Sequence, residues 1–351
     1  MQETRPILTH NPDISLITSL YHSATYLPRY VKHVASLVQQ VVDEGLSIEL
    51  IIVANQPTIE EVGYFVQIEE IFHKIDQAFL QILEVPRETI YASWNRGVEA
   101  SHGSVIGFLN ADDERDAAGL IEAHHYVDQQ KCQLFYSDFQ RKVDVAWPAG
   151  LRFRHTFIAS AIDFDAEKFA EKMRVGPFFM FTPELYQQVG AFDANFKISG
   201  DFDWIVRAIP FCEFCRGSAN LGTFYEHGAN LSSGFDARML VEDNIIYLRH
   251  GYPQYLKPVP PEMMRQIWES WGGGAAVGTL AEEHRQFLWG KGAQGRWNHY
   301  RQAYLQNKLA KQRSQAIRKY PRKLVDRFGL RPYLEKLGLS KGSSAATHRG
   351  Q

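Results

Sequence analysis

The sequence predicts an α/β fold, a mostly parallel sheet flanked by helices, with a mainly helical, basic extension at its C-terminal end. Three observations predict it. Short apolar runs alternate with longer segments of helical spacing through the N-terminal third. One of those runs, Ile48–Ala54, is apolar almost without a break. From Lys291 onward the chain turns strongly basic. Alternating strands and helices are the pattern of a parallel sheet, and a continuous apolar run suits a strand covered on both faces.

The elements follow in order. Ile14–Ser19 is a short apolar run after Pro12-Asp13 and reads as the first strand. Between Leu27 and Val42 the apolar residues Tyr30, Val31, Val34, Leu37, Val38, Val41 and Val42 recur at helical spacing, and Pro28 suits the first turn. Ile48–Ala54 is the second strand, closed by Asn55-Gln-Pro57. Glu60–Ala78 reads as a helix, Phe79–Val85 as a strand, Ala92–Ala100 as a helix and Val105–Leu109 as the fourth strand. Gln133–Phe139 and Gly176–Thr182 read as further strands, with helices at Pro183–Val189 and Asp201–Ile209, the latter ended by Pro210. After Tyr255 the pattern is broken by Pro258, Pro260, Pro261 and Gly272-Gly-Gly274. The expected division is therefore an α/β domain over 1–255 and a helical extension over 256–351.

At 351 residues, 45% apolar and 22% charged, the chain has the composition of a globular protein able to bury a full core. No N-terminal apolar segment suggests a signal peptide, and no run approaches the length of a transmembrane helix. The three cysteines, Cys132, Cys212 and Cys215, are few and odd in number, which points away from a disulfide framework and toward a reducing cytoplasm. The net charge of −2 conceals an asymmetry: the segment from Lys291 holds fifteen Lys and Arg against two acids, Asp326 and Glu335. A basic tail on an acidic body suggests an anionic partner for the tail.

Three constellations carry candidate chemistry. The strand Val105–Leu109 runs into Asn110-Ala-Asp-Asp113. Ligands bind beyond the carboxyl ends of strands in open α/β sheets, and adjacent carboxylates there suit a hard divalent cation shared with substrate phosphates. The same acids, followed by Glu114 and Asp116, also suit a solvated loop that caps a helix. The second constellation is Gly190–Trp204, where Asp201 and Asp203 open a helix and either is placed to act as general base or to cap. The third is Tyr225–Gly234, in which His227, Asn230 and Ser232 suit phosphate or metal contact or a structural turn.

Taken in this order, the segments resemble the inverting glycosyltransferases of family 2, which have the GT-A fold. The resemblance spans roughly residues 12–250. Ile14–Tyr21 with Tyr26–Tyr30 resembles that family's first strand and nucleotide-binding loop, and Glu49–Asn55 its second strand. Tyr91–Val98 with Ala100–Gly103 resembles the helix before the metal-binding strand. Leu109–Asp113 resembles its Asp-X-Asp signature, and Gly190–Asp193 with Gly200–Asp203 its acceptor-side segment. The resemblance implies a GT-A, Rossmann-like fold, a Mn²⁺ or Mg²⁺ ion, a nucleotide-diphosphate sugar donor, and a glycan or lipid-linked acceptor. It implies Asp201 as catalytic base, Asp112 and Asp113 as metal ligands, and Thr18, Leu20, Tyr21 and Asn55 lining the nucleoside pocket. Asn95, Asn110, Ala111 and His227 would lie near the diphosphate and metal. The sequence departs from the family at Asn55, which stands where an aspartate is common, at Asn110, and at Gly200, which stands where an acid often precedes the base.

Cys212-Glu-Phe-Cys215 lacks the second pair that a zinc site needs, and residues three apart in a strand over Phe211–Cys215 point to opposite faces. Phe178, Phe179 and Trp204 suit either the core or, for Trp204, acceptor contact. The tail around Lys308–Arg313 and Arg318–Phe328 mixes cations with Tyr320, Leu324, Val325 and Phe328, which suits either a solvated tail or attachment to an anionic membrane surface. No nucleic-acid module accompanies it. The reading is a cytoplasmic transferase, peripheral on the inner membrane face, acting in polysaccharide or glycolipid synthesis. Alternatives are a catalytically silent sugar-nucleotide-binding or scaffold protein, suggested by Asn55, Asn110 and Gly200, and a sugar nucleotidyltransferase. The last would want a Gly-rich loop, which Ser19–Ser23 is not.

Overall fold

The computed structural model describes residues 11–129, 132–146, 152–227, 230, 237–271 and 280–319. In chain order the elements are β1 (Ile14–Leu20), α1 (Leu27–Asp43), β2 (Ile48–Asn55), α2 (Ile59–Phe72), β3 (Ala78–Val85), α3 (Ile90–Ala100), β4 (Val105–Phe108), β5 (Glu114–Arg115), α4 (Ala117–Asp128), β6 (Leu134–Tyr136), β7 (Phe139–Ala146), β8 (Arg152–Ala159), α5 (Ala166–Glu171), β9 (Met180–Phe181), α6 (Pro183–Val189), α7 (Gly200–Ala208), β10 (Cys215–Arg216), β11 (Gly222–Glu226), α8 (Ala237–Arg249) and α9 (Pro261–Ser270). Helices over Glu282–Trp289 and Ala293–Lys319 follow. The α/β architecture expected from the sequence is borne out.

The main sheet has the order β10-β6-β9-β4-β1-β2-β3, with β4, β1, β2 and β3 parallel and β9 antiparallel to both neighbours. Every residue of β2 is buried, as the unbroken apolar run requires. The buried side of α1 is Leu27, Tyr30, Val31, Val34, Leu37, Val38 and Val41, and it joins the core on one face of the sheet. A capping box, Thr58 with Glu61, starts α2. The other face is covered by an aromatic core that includes Trp94, Phe108, Phe181, Phe192 and Trp204. A second sheet, β5-β11-β7-β8, stands beside the end of β4.

Several expectations need correction. The helix expected to reach Ala78 ends at Phe72, because the chain must turn through Gln77, at φ 66°, to enter β3. The strand expected over Gln133–Phe139 stops at Tyr136; Asp138 receives the Ala161 amide at 2.8 Å, and Phe139 opens β7 in the other sheet. In the apolar run Gly176–Thr182 only Met180 and Phe181 pair as strand, since Gly176 turns the chain at φ +76°. Phe211–Phe214 is not strand; the pairing starts at Cys215. The cysteine count had pointed away from disulfides, yet pairing of β10 beside β6 brings Cys132 and Cys215 together as a disulfide, with Cα atoms 5.8 Å apart. Cys212 is free, and burial pushes its thiol up to about 11. Trp204 is fully buried and donates to the Gly190 carbonyl at 2.8 Å, so it is core, not an acceptor contact.

The described residues form two compact units, one falling within 1–257 and 267–280 and the other within 258–266 and 281–351. In the second unit Arg296 donates to the carbonyls of Gln286 and Phe287 at 2.8 and 2.7 Å, tying its helices together. No helix among the described residues is long and apolar enough to cross a membrane. The tail from Tyr320, with Leu324, Val325 and Phe328, lies outside the described residues, as does Ser232.

Candidate functional site

β1 lies between β2 and β4, so the chain departs from it in opposite directions on its two sides. The carboxyl ends of β1 and β4 therefore flank a topological switch point, where open α/β sheets bind ligands. Thr18 fastens the two ends: its hydroxyl donates to the Leu109 carbonyl at 2.8 Å and contacts the Tyr30 hydroxyl at 2.6 Å. Thr18 and Leu20 are fully buried at the end of β1. Tyr21, one residue on, is 37% exposed, and the Arg87 guanidinium sits 4.5 Å from its ring centre. The loop behind it is held by Glu61, the α2 capping acid, which accepts from the Ser23 amide at 2.6 Å. Asn55, at the end of β2, is buried; its amide nitrogen donates to Ser93 Oγ and its oxygen accepts from the Glu88 amide, both at 3.0 Å.

Beyond β4 the acidic loop makes a tight turn, the Asp113 amide returning to the Asn110 carbonyl at 3.1 Å. Ala111 is buried under it. Asp113 is 1% exposed with both carboxylate oxygens engaged, one by the Tyr225 amide at 3.0 Å and one by Asn110 Nδ2 at 3.1 Å. Burial, and then the charge of Asp112 beside it, hold the Asp113 carboxyl well above the usual carboxylate range. Asp112 points the other way. Its Oδ2 lies 2.9 Å from His227 Nε2 and accepts from Asn230 Nδ2 at 3.1 Å. Arg29 of α1 donates to the Asp112 carbonyl and stacks 3.8 Å from the Tyr225 ring centre. β11 thus delivers Tyr225 and His227 to the acidic loop through its antiparallel pairing with β5, Thr223 opposite Glu114.

Asp112 supplies a hard oxygen, the ligand type that Mn²⁺ and Mg²⁺ prefer, and His227 an imidazole nitrogen, which suits transition-metal ions better than Mg²⁺. Among the described residues no group of three or more His, Cys, Asp or Glu side chains could hold a metal.

The segment expected to face an acceptor, Gly190–Asp193 with Gly200–Asp203, follows α6 and opens α7. Asn95 reaches it from α3, its amide fully engaged with the Phe192 amide and carbonyl and the Tyr186 hydroxyl at 2.8–2.9 Å. Asp203 is buried against Arg207 at 2.9 Å and His250 at 3.0 Å. Burial alone would raise its carboxyl, but these partners and Arg249 hold it low. Asp201 is different. Both hydrogen bonds to its side chain land on Oδ1, from the Phe202 amide at 2.9 Å and the Tyr91 hydroxyl at 3.2 Å. Burial pushes its carboxyl up to about 6, near the range in which a general base works. Arg29, Tyr91 and Tyr225 lie in segments singled out in the sequence but had no role assigned there, and Glu242 and Asp243 lie outside every such segment.

No family model matches the chain, and no curated protein matches it in sequence. Among solved structures it is similar to S. aureus TarS 1-349 in complex with UDP-GlcNAc, with 14% identity and a TM-score of 0.51, over 79% of this chain and 78% of that one. It is also similar to the same TarS segment in complex with UDP, with 13% identity and a TM-score of 0.48, over 80% of this chain and 79% of that one. The likeness to the UDP-GlcNAc complex is a likeness of fold.

Proposed function

We propose that the protein is an inverting glycosyltransferase of family 2 that moves a sugar from a nucleoside-diphosphate donor to a hydroxyl acceptor. The observation that carries the reading is the Asp112–His227 pair at the carboxyl end of β4, beside the switch point of the sheet. The shared fold with a protein crystallised with UDP-GlcNAc supports a UDP-sugar as the donor.

Asp112 and His227 would hold a divalent ion, Mn²⁺ in preference to Mg²⁺, against the donor diphosphate. The bound ion would neutralise charge on that diphosphate as it leaves. Asp113 is not free for this; with both oxygens in hydrogen bonds it locks the loop and presents Asp112. Tyr21 with Arg87 offers a face for the base. Asp201, ionised, takes the proton from the acceptor hydroxyl. The acceptor oxygen then bonds to the anomeric carbon as the carbon–diphosphate bond breaks on the opposite side, which inverts the centre.

The test is release of nucleoside diphosphate from a panel of nucleotide sugars with Mn²⁺ and candidate hydroxyl acceptors. Asp201→Asn is expected to lower turnover by about 10²–10⁴-fold while leaving donor binding in place. Unchanged turnover in that variant would remove Asp201 from its role. Binding without transfer across the panel would favour a sugar-nucleotide-binding protein instead.

A further inference from the structure

We infer that Tyr91 of α3 and Asp243 of α8 are positioning residues for the Asp201 carboxylate, and that Gly200 is glycine because the Tyr91 ring occupies the space of its side chain. The inference rests on the reading of Asp201 as the base.

The packing comes first. A Cβ on Gly200 would meet the Tyr91 ring at 2.7 Å, closer than any side chain tolerates. Residue 200 therefore carries no group that could support its neighbour, and support has to arrive from elsewhere in space. The Tyr91 hydroxyl supplies part of it, lying 2.5 Å from the Ile198 carbonyl and 3.2 Å from Asp201 Oδ1. A phenol has one proton to donate. While Asp201 is ionised, that proton is shared between carbonyl and carboxylate. Once Asp201 is protonated, its own O–H can donate to the phenol oxygen while the phenol proton stays on Ile198. The contact thus serves the base in both states. Burial holds the Tyr91 phenol well above its ordinary range, so it remains a donor throughout.

α8 fixes the turn that carries the base. Glu242 is fully buried and accepts the consecutive amides of Lys197, Ile198 and Ser199 at 2.8–3.2 Å, with Arg238 Nε at 2.8 Å. Three successive N–H groups converging on one carboxylate form an anion-binding nest. Asp243, the next residue, accepts from Ser199 Oγ at 2.9 Å and faces Lys257 Nζ at 3.9 Å. The charged or titratable groups around the pair are Tyr91 from α3, Glu242 and Arg238 from α8, and Lys257 and Lys172 beside Asp243. Burial pushes the Asp243 carboxyl up to about 6 as well, so above that pH it places a negative charge near Asp201, and that charge, second to burial, raises the affinity of Asp201 for the proton it must take from the acceptor.

The experiment is the pH profile of kcat/KM for sugar transfer by the full chain and by Tyr91→Phe, Asp243→Asn and Asp243→Glu, with nucleotide binding measured by calorimetry as a check on folding. Tyr91→Phe keeps the ring on Gly200 and is expected to lower kcat about tenfold, with donor KM unchanged. Asp243→Asn removes a like charge, so the acid limb is expected to move to lower pH; Asp243→Glu is expected to return it. A loss in Asp243→Asn that is equal at every pH, with wild-type donor binding, overturns the role of Asp243. Full kcat in Tyr91→Phe overturns that of Tyr91. Should Asp243→Asn lose nucleotide binding, Asp243→Glu decides: failure to keep the wild-type limb counts against the inference. If the wild-type chain transfers no sugar at all, the glycosyltransferase reading falls and takes the inference with it.

Discussion

Asp201 and Asp203 stand two residues apart on one helix and come to opposite ends. Asp203 is surrounded by Arg207, Arg249 and His250, so its charge is spent on holding α7 against α8. Among the described residues no cation pairs with Asp201, and burial raises its carboxyl to about 6. A raised carboxyl is protonated, and useless as a base, below that value. Transfer is therefore expected to fall as pH drops through about 6 and to level off above it, read as kcat/KM against pH. A limb at the ordinary carboxylate value would show that Asp201 is not the group that titrates. The sequence singled out Asp112, Asp201 and His227 through the order of their motifs. It did not reveal their partners: the Tyr225 amide reaches Asp113 across 112 residues and His227 reaches Asp112 across 115, and nothing local announces either contact.

Elements were legible where local pattern and tertiary burial agree. The ends of β1, α1 and β2 fall within a residue or so of expectation, because an amphipathic helix between apolar runs has one economical way to pack. α8 went unread because Glu242 and Asn244 are fully buried in its face and interrupt the apolar spacing. The hairpin of β7 and β8 went unread because polar residues such as Arg141, Lys142, Arg154 and His155 mask its alternation. α3 shows how tightly the site-bearing layer is built: a Cβ on Gly97 would fall on Ile17 Cγ2 of β1. Gly97→Ala is expected to push α3 off the sheet and to destabilise the fold by roughly 1–3 kcal/mol. The denaturant midpoint checks this; an unchanged or higher midpoint would mean that α3 has room to shift.

At the scale of the whole molecule, the charge is divided between an acidic body and a basic C-terminal segment. We propose that the tail draws the protein to an anionic membrane surface, where a lipid-linked acceptor would be found. Co-sedimentation with phosphatidylglycerol vesicles is expected at low salt, lost at high salt, and lost on removing residues 320–351. Equal sedimentation without the tail would contradict it. The disulfide between Cys132 and Cys215 is a whole-molecule feature that cysteine counting could not reach, since only the meeting of β6 and β10 makes the pair.

The central claim is that the carboxyl end of β4 is a nucleotide-sugar site built on Asp112 and His227. Calorimetry of UDP-sugar binding with and without Mn²⁺, on the wild type and on Asp112→Asn and His227→Ala, tests it most directly. Mn²⁺ is expected to strengthen binding to the wild type, and each variant to lose that strengthening by about tenfold or more. No binding across the panel, or Mn²⁺-dependent binding that neither substitution weakens, would contradict it.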